Sequence, residues 1–114
     1  MGLDQYAYIR ENIKQFSWRK HSKLQQFMED IWYKDLGNTE EFNCKELILS
    51  KDMLERLLKR INNNALPESE GGFFYGHQFQ DDAAKENKEQ DIKFCKEALK
   101  AIDDGCTVVY SCWW

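Results

Sequence analysis

Four consecutive residues, Trp18-Arg19-Lys20-His21, hold the densest chemistry in the chain. A guanidinium, an ammonium and an imidazole can converge on an anion such as a phosphate, and the indole beside them can stack on a base or ring. Downstream, Leu24, Phe27, Met28, Ile31 and Trp32 recur at three- and four-residue spacing, which predicts a helix from Ser17 to about Leu36 with Ser17 as its cap. The cations then crowd the first helical turn, where the positive pole of the dipole opposes each by about 0.3–1 kcal/mol. A bound anion reverses that sign, because the free N–H groups and the cationic side chains face it together. The plainer alternative is a helix that starts a turn earlier, or side chains that point into water, where a misplaced charge costs little.

A second candidate segment runs Glu68-Ser69-Glu70-Gly71-Gly72-Phe73-Phe74-Tyr75-Gly76-His77. Its glycines permit close approach to a ligand, and Tyr75 and His77 can contribute hydrogen bonds. With no Lys or Arg inside it, it is not a phosphate loop. Glu68, Glu70, Asp81 and Asp82 lack a calcium-loop spacing. The alternative is a hairpin-like turn that feeds a short aromatic strand, with His77 satisfied by a neighbour.

Catalysis and cofactors find less support. Nucleophilic machinery needs three groups placed together, and nothing in the order of residues selects one thiol for either histidine. Cys44, Cys95, Cys106 and Cys112 form no C-x-x-C pair, and no two of them with His21 and His77 have zinc spacing. Free thiols, no metal and no cofactor are expected, and the protein reads as a binder rather than an enzyme.

These residues must be positioned by a single domain spanning residues 1–114, since the chain has no linker, repeat or room for two cores. An apolar fraction of 42% and a net charge of −4 exclude disorder. Leu3 to Ile9, Phe42 to Leu49, Phe73 to Gln78 and Cys106 to Trp114 read as strands. Ser50 caps a helix with Leu54, Leu57, Leu58 and Ile61 on one stripe, closed by Asn62-Asn63-Asn64. A long helix from Asp81 or Asp82 to about Asp104 carries Ile92, Cys95, Leu99 and Ile102, and Gly105 stops it. The expected fold is α+β: three helices on a small, mainly antiparallel sheet of three to four strands, with the terminal strands adjacent in its middle. Termini ordinarily fray, so a chain ending in Trp113-Trp114 must pin that end, and surplus aromatics there point to a subunit interface in a homo-oligomer.

The acidic balance argues against a nucleic-acid partner. No apolar run is long enough for a membrane, no secretion signal opens the sequence, and Tyr6 stands where myristoylation after Met1-Gly2 needs Ser or Thr. The expectation is a cytoplasmic protein.

The blocks MGLDQYAY, FSWRKH, EFNCKEL, LPESEGGFFYGHQF and YSCWW together resemble a family of small bacteriophage proteins of unknown function, from one end of the chain to the other. The resemblance implies a viral accessory protein acting in the host bacterial cytoplasm, and implies no mechanism. Two functions follow as expectations. One is a binder of a nucleotide or other small anion through Trp18, Arg19, Lys20, His21, Tyr75 and His77. The other is a protein-interaction module that inhibits or redirects a host protein.

Overall fold

The structure, a computed structural model, describes residues 3–11, 14–19, 21–67 and 80–113, with residues 80–83 known by their backbone alone. Two strands open the chain, β1 (Asp4–Ile9) and β2 (Lys14–Arg19). Helix α1 (Ser22–Asp30) runs into a π-helical turn (Ile31–Asp35), followed by β3 (Glu46–Leu49) and α2 (Lys51–Asn62). Helix α3 (Gln80–Asp103) then leads into β4 (Val108–Trp113). The four strands form one antiparallel sheet in the order β2-β1-β4-β3. The α+β expectation holds, and so does the central pairing of the terminal strands, from Asp4 opposite Trp113 to Ile9 opposite Val108.

Strand alternation builds the core. Gln5, Ala7 and Ile9 of β1 point to the helical side with Phe16, Trp18, Leu47, Leu49, Val108, Tyr110 and Cys112, and all are buried. Leu24, Phe27 and Met28 of α1, Leu54, Leu57 and Ile61 of α2, and Phe94, Cys95, Ala98 and Ala101 of α3 close over them. Packing of this kind supplies the folding energy, at about 25 cal/mol per Å² of apolar surface removed from water.

The caps of α2 and α3 follow the sequence. The hydroxyl of Ser50 accepts from the N–H of Met53 at 3.3 Å, and Gly105 adopts the left-handed φ of +88° that a helix stop favours. Gly37, at φ +66°, follows the π-helical turn and serves the same purpose for α1.

The start of α1 departs from expectation. Residues expected as its first turn are instead β2, an edge strand, and the helix begins at Ser22 with His21 at the cap position and no side-chain cap bond. Phe16 and Trp18 alternate inward with period two, and a strand with only two inward apolar residues is easily read as the fringe of the strong helical repeat behind it. The long helix also presents a face one residue earlier than expected, burying Asp91, Phe94 and Ala98 while Ile92, Leu99 and Ile102 are only half-buried. The strand expected at Phe73 to Gln78 lies outside the described residues.

Candidate functional site

At one end of the core, the helix-facing side of the sheet is polar. Asp91, on the buried face of α3, receives the indole N–H of Trp18 on Oδ1 at 2.7 Å, and its Oδ2 lies 2.6 Å from Nε2 of His21. An ionised carboxylate only accepts, so in that pairing Nε2 is the donor and Nδ1 is the other ring nitrogen. That Nδ1 is buried and has no hydrogen-bond partner among the described residues. Gln5 of β1 clamps the backbone of His21 from below: its Oε1 accepts from the His21 N–H at 2.8 Å and its Nε2 donates to the His21 carbonyl at 3.0 Å. The same amide donates to the Tyr110 hydroxyl at 2.9 Å, which donates to Oε1 of Gln25 at 2.6 Å, and Gln25 reaches the Cys112 sulfur at 3.3 Å.

Five elements, β1, β2, β4, α1 and α3, and the cap residue His21 therefore meet in one connected set of buried polar groups. His21, Gln5 and Gln25 are fully buried and Asp91 is 1% exposed. Removing such groups from water is costly unless each is hydrogen-bonded, so the geometry is tightly specified.

Asp91 is also among the residues that line a cleft of about 320 Å³ between the start of α1, the end of α2 and the first half of α3. Three lysines line it: Lys23 from α1, and Lys85 and Lys88 from α3. Positions 84, 88 and 91 of α3 lie on one helical face, which places Lys88 one turn from the buried carboxylate. Ile61 and Leu66 give the cleft an apolar side. Asn64, held at φ 52° where asparagine is among the tolerated residues, accepts from the Lys88 ammonium at 2.9 Å.

Of the residues singled out from sequence, Trp18 and His21 come together on Asp91. Arg19 does not join them. Alternation along β2 puts it on the opposite face of the sheet, 80% exposed and 3.8 Å from Asp4, so the expected convergence of Arg19 with Trp18 and His21 is corrected by the strand. The supposed conflict with the helix dipole goes with it, since Arg19 precedes the helix. Lys20, Tyr75, His77 and Trp114 lie outside the described residues. Trp113 is 61% exposed on the helix-free face of the sheet.

Sequence reading missed Asp91, Gln5, Gln25 and the cleft lysines. One signal was available: Asp91 sits three and four residues before Phe94 and Cys95, an acidic residue in register with a buried stripe. No family model, curated protein or solved structure matches the chain, so the chemistry rests on this geometry.

The two buried thiols are poorly suited to nucleophilic chemistry. Burial, reinforced by the nearby Asp91, pushes the Cys95 thiol up to about 12. Burial also pushes Cys112 up to about 12. Neither supplies thiolate at neutral pH. Among the described residues no group of three His, Cys, Asp or Glu is placed to hold a metal ion, and no helix is long and apolar enough to cross a membrane.

Proposed function

We propose that the protein is a non-enzymatic binder of a small anionic ligand, a nucleotide or other phosphate-bearing molecule, seated in the cleft between α1, α2 and α3. The observation that carries this reading is the convergence of Lys23, Lys85 and Lys88 on one concave site of a chain whose net charge is −4. Among the described residues that line the cleft, three are lysines and one is a carboxylate, Asp91, which accepts from Trp18 and lies against His21. A volume of about 320 Å³ lies at the small end of the range of about 300–1,000 Å³ usual for ligand sites. The apolar side formed by Ile61 and Leu66 suits a ring or carbon skeleton.

The site differs from the one expected at the Trp-Arg-Lys-His run, yet it is built on the same stretch: Trp18 and His21 fix its wall, and Lys23 opens it. An accessory role in a host bacterial cytoplasm is proposed only on the resemblance of the sequence blocks to small phage proteins.

Calorimetric titration with inorganic phosphate and nucleoside phosphates tests the reading. The double variant Lys23→Gln/Lys88→Gln should weaken binding at least tenfold while leaving the unfolding midpoint within a few degrees, because both side chains are only half-buried. Unchanged affinity in the variant, or no binding by the wild type, sinks it.

A second reading has its own observation. The sheet face without helices presents Ile48 at 58% and Trp113 at 61% exposure, an apolar surface suited to a protein partner or a second copy of the chain. If that face self-associates, Trp113→Ser should shift the sedimentation coefficient to that of a monomer. A wild-type protein that is monomeric at high concentration leaves only the heterologous partner.

A further inference from the structure

Strand β2 is an edge of the sheet, and the register shows which of its backbone groups face outward. The Arg10 N–H donates to the Thr107 carbonyl at 2.9 Å, continuing the β1–β4 ladder, so Asp4, Tyr6 and Tyr8 are the residues of β1 that bond to β4. Gln5, Ala7 and Ile9 then bond to Trp18, Phe16 and Lys14. The N–H and C=O groups of Gln15 and Ser17 are left pointing away from the sheet. The Ser17 carbonyl accepts from the side-chain amide of Gln90 at 2.6 Å; the other three groups have no partner among the described residues.

A groove of about 860 Å³ runs beside this edge, between β2 and α3. Its floor is apolar, with Phe16 from the strand and Ile92 from the helix, and its helical rim carries Lys93 and Lys96. Both lysines are exposed and without an ion-pair partner among the described residues. Lys14 lies 5.8 Å from the centroid of the Phe16 ring and pairs with Glu97.

We infer that this groove docks an extended peptide segment of a partner protein as a further strand on β2, with an apolar residue on Phe16 and Ile92 and an acidic residue two positions away beside Lys93 and Lys96. The groove shares no lining residue with the anion cleft, and Trp113 lies on the other face of the sheet, so this docking stands apart from both readings above.

The chemistry selects that occupant. Outward groups on alternate residues of an edge strand are satisfied together by another extended main chain. Side chains of the added strand alternate, so two that are two residues apart both fall on the helical side, over floor and rim. Helix α3 runs antiparallel to β2, since Gln90 reaches Ser17 and Glu97 reaches Lys14. Glu89 therefore lies at the Ser17 end of the groove and Lys96 towards the Lys14 end, where the acidic residue belongs. Exposed ion pairs of this kind set direction and specificity more than affinity. A second copy pairing through the same strand would bring Lys14 and Arg19 and no acidic residue to a lysine rim, so charge favours a different chain.

The test is selection of a displayed library of short random peptides on the full-length protein, followed by fluorescence anisotropy with the enriched peptides made synthetically. Enriched peptides should share an apolar and an acidic residue two positions apart, and N-methylation of their alternate backbone amides should weaken binding at least tenfold. Gln15→Pro removes an outward N–H while leaving the bonds to β1 in place, as an edge strand tolerates, and should weaken binding by a similar factor. Lys93→Glu/Lys96→Glu should abolish the preference for the acidic residue. Enrichment of no peptide overturns the docking site, as does equal binding by wild type and both variants. If Gln15→Pro folds poorly, the N-methyl series on the wild type decides: affinity unchanged by methylation overturns strand addition.

Discussion

The two ends of the same sheet face are built on opposite principles. At one end, Ile9, Val108 and Leu49 stand side by side in register, each an apolar residue at most 3% exposed. At the other, Trp18, Gln5 and Cys112 stand side by side in register beneath His21, Gln25 and Asp91. Both ends are fully buried. The apolar end tolerates any filling of similar volume, because dispersion and burial are non-directional. The polar end accepts only groups whose donors and acceptors match, and it is this end that abuts the cleft. A core that needed only stability would have no reason to differ between its ends.

Conservative swaps break the comparison most sharply. Leu54→Met keeps volume and should cost less than about 1.5 kcal/mol in urea unfolding. Asp91→Asn also keeps shape, but its amide turns a donor towards either Trp18 Nε1 or His21 Nε2, and each donor left unsatisfied costs about 1–3 kcal/mol. The near-isosteric change at the polar end should therefore be the more destabilising of the two. Truncation should reverse no ranking: Leu54→Ala costs about 2–5 kcal/mol through its cavity, and Asp91→Ala strands both donors. The double variant Leu54→Ala/Asp91→Ala should be additive within about 0.5 kcal/mol if the two ends are independent. Equal tolerance of Leu54→Met and Asp91→Asn would mean that the polar end is only packing.

How far this contrast was legible in the sequence depends on the length scale. The apolar end could be read directly, since Leu54, Leu57, Ile61 and the alternation in β1 and β4 are periodic signals that need no partner to interpret. The central pairing of the terminal strands followed from two aromatic-rich ends that only burial explains. The edge strand β2 was hidden because its two inward residues, Phe16 and Trp18, adjoin a stronger helical repeat, and local pattern gave way to the pairing of β2 with β1. The polar end was legible only in fragments: His21 stood out by its type and Asp91 by its register with a buried stripe, Gln5 and Gln25 by nothing, and what joins them is contact across separations of 16 to 105 residues. Trp18 and His21 drew attention for their types and do meet in space on Asp91, but the argument from dipole repulsion that singled them out depended on a helix start the strand displaced.

The smallest effect sharpens the comparison at single thiols. Cys112 belongs to the polar end, where it accepts from Gln25 and its S–H lies 3.6 Å from the Phe42 carbonyl; Cys95 lies beside Asp91 on α3; Cys44 is exposed. Cys44 and Cys112 are backbone neighbours, the Cys44 N–H donating to the Cys112 carbonyl at 2.8 Å, so they share a locality and differ in burial. A thiol pushed up to about 12 is thiolate to about one part in 10⁴ at pH 8, and burial denies reagent access as well. Iodoacetamide added to native protein at pH 8 should therefore modify Cys44 first and leave Cys95 and Cys112 untouched on that timescale, by peptide mapping. Denaturant without reductant should then release all four thiols to alkylation. Labelling of Cys112 at a rate close to that of Cys44 would mean that the polar end opens to solvent while the rest of the fold holds, and a fixed network joining Cys112, Gln25, Tyr110 and Gln5 would not survive that result.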